Sequence, residues 1–197
     1  MKSKNSDRKL DRRTIYTKTI IKNALLEVKN NKPFNSITVT EICQAAEINR
    51  GTFYLHYYDI YDVLDDLLTE FLEDTGHPMD SLICDNEKTV NECTYPLCQK
   101  IQMNPKYKVL FLDDSITCHI VKKIYDLAKD DFIKKLTAHS NLTSMQAEAI
   151  FIFQINGCFA VNKAMNWNSD GNWCQTQSII DEFIKNGLEK YIDNNIM

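Results

Sequence analysis

The sequence predicts an all-α fold in which a small N-terminal helix-turn-helix domain precedes a larger helical domain. Apolar residues recur three and four positions apart through most of the 197 residues, as they do along the buried face of a helix. Between Thr38 and Tyr58, two short patterns of this kind stand on either side of a tight break. Two short helices joined by a tight turn are typical of a helix-turn-helix.

Residues 14–30 are predicted to form the first helix, which stops at the polar stretch before Pro33. Residues 1–13 precede it as a basic N-terminal arm without an apolar row. Two interpretations of this arm stay open, because it can reach a DNA backbone or minor groove or act as a disordered solubilising tail. The first helix is expected to bury one stripe: Ile21, Ala24, Leu25 and Val28.

The two short helices carry their own start signals. Thr38 and Glu41 have the spacing of a capping box, in which hydroxyl and carboxylate each bind a backbone amide at a helix start. Asn49 stands where the second helix needs an N-cap. Glu47 and Ile48 are therefore predicted to form the turn, with Ile48 filling the space between the helices. The earlier of the two is expected to bury Val39, Ile42, Ala45 and Ala46.

The rest of the chain is also predicted to be helical. A connecting helix over 61–76 has an apolar stripe, and the loop after it, through about residue 86, is the predicted boundary to a C-terminal domain over 77–197. In that domain, Pro96 either kinks one helix or lies in the first turn of a second. Further helical segments are expected over 106–112 and 116–138.

The last two helices, over 141–167 and 174–192, are predicted to contact a second copy of the chain. The stretch from Ala147 to Val161 is apolar nearly all the way round, and such a helix needs partners on more than one side. A fully buried central helix of one domain is the alternative. The predicted dimer interface comprises Ile150, Phe151, Gln154, Gly157, Cys158, Val161, Ile180, Ile184 and Leu188.

A dense group of residues between positions 14 and 68 matches one known family. The group is Ile21, Ala24, Phe34, Ile37, Thr38, Val39, Ile42, Ala46, the string Arg50–Tyr54, His56 and Tyr57. In these residues the chain resembles the TetR family of bacterial transcriptional regulators. The resemblance implies a homodimer that binds a roughly palindromic operator in double-stranded DNA. It also implies a DNA-binding domain over 14–60 and a C-terminal domain for dimerisation and, often, for a small-molecule effector. Repression is the commonest role in the family.

The second short helix is predicted to enter the major groove by its N-terminal end. Arg50 and Thr52 suit base edges or phosphates, and Gly51 allows close approach to the duplex. Tyr54, His56 and Tyr57 match family positions that touch phosphates or pack beneath this helix, and core packing is the alternative for Tyr54 and Tyr57. The candidate DNA-binding residues are Thr38, Thr40, Asn49, Arg50, Gly51, Thr52, Tyr54, His56 and Tyr57.

A mostly apolar effector pocket is expected between residues 87 and 138, for a small apolar or aromatic molecule. Ordinary core packing explains each candidate residue equally well. The candidates are Tyr95, Cys98, Met103, Tyr107, Phe111, Cys118 and Tyr125.

The two parts of the chain differ in charge. Residues 1–60 hold eleven Lys and Arg against six Asp and Glu, a net charge of +5, and the remainder holds 12 against 21, a net charge of −9. Basic charge beside a helix-turn-helix favours phosphate binding. Where the TetR family usually has Lys, however, this chain has Tyr58 and Ile60. This departure supports a competing interpretation, a TetR-like coactivator or protein-interaction module that acts through a partner protein.

The sequence patterns argue against an enzyme. The four His and seven Cys have no metal-binding spacing, and the chain has neither a glycine-rich phosphate loop nor a nucleophile elbow. We therefore predict no cofactor and no metal ion, and cysteines that pack as small apolar residues, with a redox-sensing pair as the alternative. No apolar run approaches the roughly 18 residues of a membrane span. A polar start and unpaired cysteines together favour a cytoplasmic protein.

Overall fold

The computed structural model describes residues 3–73, 96–167 and 171–191, and it confirms the all-α fold. No β-strand occurs in these three ranges. Two 3-10 turns, at Phe34–Ser36 and Asp114–Ile116, accompany the helices. The α-helices of the described residues are α1 (Ser3–Lys29), α2 (Val39–Ala45), α3 (Arg50–Tyr54), α4 (Ile60–Glu73), α5 (Pro96–Met103), α6 (Pro105–Phe111), α7 (Thr117–Ala138), α8 (Ser144–Ala164) and α9 (Gly171–Glu189).

The chain divides into two compact units. The first, here called the N-terminal unit, comprises Met1–Phe71 together with the short segment Asp113–Ile116. The second, the C-terminal unit, comprises Leu72–Leu112 and Thr117–Met197. The chain therefore leaves the C-terminal unit after α6, contributes four residues to the N-terminal unit, and returns to begin α7.

The core of the N-terminal unit forms where the apolar stripes of α1 and α4 meet α2 and α3. α1 packs against α2, and α2 packs against α3. The ring of Phe34 meets that of Tyr61 edge-to-face at 5.0 Å between centroids. This core holds the short helix α3 in place, because five residues are too few to form a stable helix in water by themselves. Its most deeply buried members include Ile21, Leu25, Phe34, Ile42, Phe53, Leu64 and Leu68.

Two aromatic clusters occur among the described residues of the C-terminal unit. In one, α7 packs against α8 and the ring of Phe151 stacks on Phe132 at 4.6 Å and on Tyr125 at 5.9 Å. In the other, the ring of Trp167 meets Phe111 at 5.6 Å and Phe159 at 5.5 Å, both edge-to-face. The apolar character of α8 is thus partly accounted for by packing within one chain.

Two differences from the sequence-based expectations concern local structure, at the start of α1 and in α2, whereas Pro96 takes one of its two predicted positions. α1 begins at Ser3, before the expected residue 14, because Lys and Arg favour helix although they give no apolar row to detect. In α2, Ala45 is exposed and Cys43 is buried in its place. Pro96 is the first residue of α5, where a missing amide hydrogen costs no helical bond. The predicted boundary loop lies outside the described residues.

Candidate nucleic-acid interface

The start of α2 has the predicted capping box. The Thr38 amide donates to Glu41 Oε2 at 2.9 Å, and the Glu41 amide donates to Thr38 Oγ1 at 3.4 Å. Lys32 Nζ lies 2.5 Å from Glu41 Oε1. The hydrogen bond from Lys32, followed by those from Thr38, lowers the pKa of Glu41 to about 2. Glu41 is therefore ionised at neutral pH and holds the N-terminal turn of α2 in place.

The turn between α2 and α3 is a Schellman motif built on a residue other than glycine. The Ile48 amide donates to the Cys43 carbonyl at 3.0 Å, and the Glu47 amide donates to the Gln44 carbonyl at 3.2 Å. Glu47 has a φ of 53°, in the left-handed region that favours glycine. Ile48 is half-buried, as expected for the residue between the helices.

Asn49 caps α3 as the sequence predicts. Its Oδ1 accepts from the Thr52 amide at 2.8 Å and from Thr52 Oγ1 at 3.2 Å. A Cβ atom at Gly51 would lie 3.1 Å from the same Oδ1. Glycine at position 51 therefore leaves room for the Asn49 cap. This is a local reason for glycine here, besides the close approach to DNA that the sequence predicts.

One face of α3 is exposed and carries the only cation between residues 37 and 62, Arg50. Its guanidinium donates from Nη2 to the Tyr54 hydroxyl at 3.3 Å and lies 5.8 Å from the centre of that ring. The hydrogen bond to Tyr54 raises the pKa of Arg50. Tyr54 is 50 % exposed, and Thr52 and His56 are partly exposed. Thr38 and Thr40, at the start of α2, are also exposed.

The opposite face of α3 is tied to the core. Phe53 is fully buried, and Tyr57 is only 3 % exposed. The Tyr57 hydroxyl donates to Asp66 Oδ2 at 2.5 Å, and Lys18 Nζ lies 5.1 Å from the centre of the Tyr57 ring. Burial by itself would raise the pKa of Asp66, but the Tyr57 hydroxyl and the neighbouring lysines lower it overall. Tyr57 thus supports α3 from beneath, which is the core-packing alternative for this residue.

A buried ion pair that the sequence analysis missed joins Asp113 to α1. Asp113 Oδ2 lies 2.9 Å from Lys29 Nζ and accepts from the Phe34 amide at 2.8 Å, and Oδ1 accepts from the Ser115 amide at 2.8 Å. Burial would raise the pKa of Asp113, but these donors together lower it to about 2. Lys29 and Phe34 are 79 residues or more from Asp113 in sequence, so no local pattern marks this contact.

The predicted dimer residues do not share one environment. Phe151, Gln154 and Leu188 are buried within their own chain, because they lie on the inward faces of α8 and α9. Gly157 is exposed, and the remaining five are partly buried. The exposed large apolar residues of the two helices are different ones, Met145, Ile152, Phe153, Ile179 and Phe183. An apolar pattern on every side of α8 could not show which side faces inward.

The predicted pocket residues are also dispersed. Tyr95 lies outside the described residues, and Met103 and Cys118 are at the surface, so they do not line an enclosed site. Phe111 belongs to the cluster with Trp167, whereas Tyr125 stacks on Phe151 and donates a hydrogen bond to Glu148. Cys98 is buried and Tyr107 is half-buried.

The described residues contain no group of three or more His, Cys, Asp or Glu side chains arranged to hold a metal ion. No helix in the same part of the chain is long and apolar enough to span a membrane.

Comparisons with known proteins agree with this fold. Over 56 residues, or 28 % of the chain, the sequence is 32 % identical to the uncharacterized HTH-type transcriptional regulator YxbF of Bacillus subtilis (strain 168), and the match spans only 15 % of that protein. The fold is similar to that of the dihydroxyacetone kinase operon activator DhaS, with a TM-score of 0.53 and 17 % identity, over 91 % of this chain and 99 % of the other. No family model matches the sequence.

Proposed function

We propose that this protein is a sequence-specific DNA-binding transcriptional regulator of the TetR type, in which α3 reads the major groove. The geometry of α3 carries the proposal. Its N-terminus is capped by Asn49, its inner side is fixed by Phe53, and its outer side exposes Arg50. A rigid helix that exposes a cation at its N-terminal end suits a groove lined by base edges and phosphates. Local similarity to an HTH-type regulator supports the same function.

The roles of the individual side chains follow from their chemistry. Arg50 donates to guanine or to a phosphate, and Thr52, whose hydroxyl donates to Asn49, accepts from a base edge. Thr40 binds phosphate through its hydroxyl, and Thr38, whose hydroxyl and amide donate to Glu41, holds the first amides of α2 in place for the same phosphate. The Tyr54 hydroxyl holds the Arg50 guanidinium in place. The guanidinium therefore loses less conformational entropy when it binds DNA.

The active form is a homodimer in this proposal. On α8, Phe153 and Gly157 stand four residues apart in an exposed row, and on α9, Ile179, Phe183 and Gly187 do the same. A Cβ atom added at either glycine would meet nothing within 4 Å in its own chain. Exposed apolar rows with small residues suit close packing against a second copy. A two-fold dimer would place two reading helices about 34–36 Å apart, or a multiple of that distance, on a palindromic operator.

An effector controls this dimer in the proposal, and two buried polar atoms support it. Asn162 Oδ1 and Trp167 Nε1 are buried and have no hydrogen-bond partner among the described residues. Trp167 Nε1 offers a donor on a ring that contacts Phe111 and Phe159, and Asn162 Oδ1 offers a buried acceptor five residues earlier in the chain. Together they suit a small aromatic molecule with a hydroxyl group. The effector acts through its differential affinity for DNA-competent and incompetent dimers, and α4 transmits the change.

We propose that the protein represses transcription by binding an operator that overlaps a promoter.

One observation favours a second candidate, the coactivator that acts through a partner protein. Leu55 and Tyr58 are more than 80 % exposed at the end of α3, where a protein partner can bind an apolar surface. The same segment, residues 37–62, holds four acidic residues against Arg50, which is unusual for a surface that binds DNA directly.

Selection from a random pool of DNA duplexes separates the two candidates. A direct DNA reader enriches one palindromic sequence over successive rounds, and the enriched duplex then shifts in a gel at nanomolar to micromolar protein concentration. A coactivator enriches no sequence by itself. Absence of enrichment, with a folded protein in the assay, would contradict the proposed function. The control step is tested by measuring the affinity for the effector with and without operator DNA. The two values should differ by the same factor by which the effector changes the affinity for the operator.

A further inference from the structure

We propose that the segment Asp113–Ile116 couples the end of α8 to the start of the helix-turn-helix. An effector bound near Trp167 then changes DNA binding through Asp113 as well as through α4. This inference rests on the proposed function and deepens it, because it names the residues through which the control step acts. The segment belongs to the N-terminal unit, whereas the residues on both sides of it in sequence belong to the C-terminal unit.

Within the N-terminal unit, Asp113 fixes the segment to the chain that leads into α2. Its Oδ2 lies 2.9 Å from the ammonium of Lys29, the last residue of α1, and accepts from the Phe34 amide at 2.8 Å. The side chains of the ion pair are only 10 % and 4 % exposed, and the two 3-10 turns pack against each other. Thr38, the N-cap of α2, follows Phe34 by four residues. A displacement of Asp113 therefore reaches the start of the helix-turn-helix over a short stretch of chain.

Within the C-terminal unit, the residues that flank the segment contact the end of α8. Phe111, just before the segment, is fully buried, and its ring centroid lies 6.3 Å from that of Phe159 and 5.6 Å from that of Trp167. Thr117, just after the segment, accepts a hydrogen bond at Oγ1 from Lys163 Nζ at 2.6 Å. Phe159 and Lys163 are four residues apart and so lie on the same side of α8. A shift of this end of α8 therefore displaces the chain on both sides of the segment.

The backbone at the end of α8 is strained. The Trp167 amide donates to the Asn162 carbonyl at 2.8 Å and the Asn166 amide to the Lys163 carbonyl at 2.9 Å, which is a Schellman motif. Asn166 and Trp167 have φ angles of 53° and 50°, and such a backbone is rare for a side chain as bulky as Trp. Strained residues of this kind persist only where their neighbours hold them, and they are frequent in switch regions. A ligand that bonds the buried Asn162 Oδ1 and Trp167 Nε1 changes the contacts that hold this helix end.

The buried ion pair gives the segment two discrete arrangements. A charge that loses its partner inside a protein is costly, so the contact between Asp113 and Lys29 is either made or broken and does not lengthen gradually. When the contact is made, the chain before α2 is held and the helix-turn-helix keeps the geometry that binds DNA. When it is broken, this chain loses its anchor and DNA binding weakens. An effector acts by favouring one of the two arrangements.

Amide hydrogen exchange of the full chain, measured by NMR, tests this inference. The Phe34 amide exchanges when its buried hydrogen bond to Asp113 opens. Phe159→Leu removes part of the contact with Phe111, so it should speed exchange of the Phe34 amide about five- to tenfold relative to the amides in the middle of α1. Phe151→Leu is the matched control, because it makes the same substitution on α8 in the other aromatic cluster. It should leave this ratio of exchange rates unchanged.

A second variant tests whether the coupling passes through the ion pair. Lys29→Met with Asp113→Asn removes both charges together, so neither is left buried without a partner. In this background, Phe159→Leu should change exchange of the Phe34 amide by less than about twofold. By reciprocity, saturating amounts of the selected duplex should slow exchange of the Trp167 amide in the unmodified chain. A scrambled duplex should slow it much less, and the effect of the selected duplex should disappear in the variant without the ion pair.

The outcomes separate the inference from the proposed function. Equal effects of Phe159→Leu and Phe151→Leu on the Phe34 amide would overturn the inference, and this comparison decides it even where the variant without the ion pair does not fold. An effect of Phe159→Leu that persists without the ion pair would also overturn it. Failure of the unmodified chain to bind any duplex would instead overturn the proposed function and, with it, the role of the segment in DNA binding. The exchange rates would still show whether the segment couples α8 to the chain before α2.

Discussion

At the residue scale, the turn of the helix-turn-helix stores strain at Glu47. A left-handed backbone costs an ordinary residue roughly 1–2 kcal/mol, because its Cβ approaches the following carbonyl. Glu47→Gly should therefore raise the free energy of unfolding by about 1 kcal/mol in urea denaturation. Glu47→Ala is the matched control, since alanine keeps the Cβ and should gain little. Equal stability of the glycine and alanine variants would show that the φ of 53° costs nothing here.

Also at the residue scale, Asp113 makes the free energy of unfolding depend on pH in the acidic range. Its pKa is lowered from 3.8 to about 2 in the folded chain, so its contribution is present above pH 4 and is lost as pH falls toward 2. Because the Asp113 side chain is only 4 % exposed, this lowering of its pKa corresponds to about 2 kcal/mol of the free energy of unfolding. Asp113→Asn should destabilise the protein at pH 7, because it leaves the Lys29 ammonium buried without its carboxylate. Asp114→Asn, at the adjacent exposed position, should change stability much less, and an equal effect of the two would contradict this account.

At the scale of elements, local signals predicted local structure well. Thr38, Glu41 and Asn49 cap α2 and α3 as the sequence indicates, because a cap involves residues only two or three positions apart. The polar first half of α1 gave no periodicity and was not predicted to be helical. The Lys29–Asp113 pair could not be predicted either, since it depends on how a segment beyond α6 folds onto α1.

The site shows the same limit. The exposed residues of α3 follow from its capped start and from the burial of Phe53, so Arg50 and Thr52 could be selected from sequence alone. Tyr57 matches a family position that touches phosphates or packs beneath the reading helix, and only the contact of its hydroxyl with Asp66 on another helix favours the packing role. The inward side of α8 also depends on tertiary contacts, chiefly the stacking of Phe151 on Phe132.

At the scale of the whole molecule, the exposed rows of α8 and α9 predict dimerisation. Phe153 and Phe183 are each 69 % exposed, so replacing them removes little packing from their own chain. Phe153→Glu with Phe183→Glu should give a folded monomer at micromolar concentration in light scattering, because each carboxylate would be buried at the contact. Met103→Glu, at another exposed apolar side chain, is the control and should remain dimeric. A monomeric unmodified chain, or a dimeric double variant, would refute this interface.

The most direct test of the central claim measures how α3 discriminates between DNA sequences. The ratio of affinities for the selected and scrambled duplexes would be compared between the unmodified chain and the variant Arg50→Ala with Thr52→Ala. Each lost base contact costs about 1–3 kcal/mol, so the ratio should fall at least about tenfold, while Lys122→Ala with Lys134→Ala keeps it. An unchanged ratio in the α3 variant, with its fold intact by circular dichroism, would contradict the assignment of α3 as the helix that reads DNA.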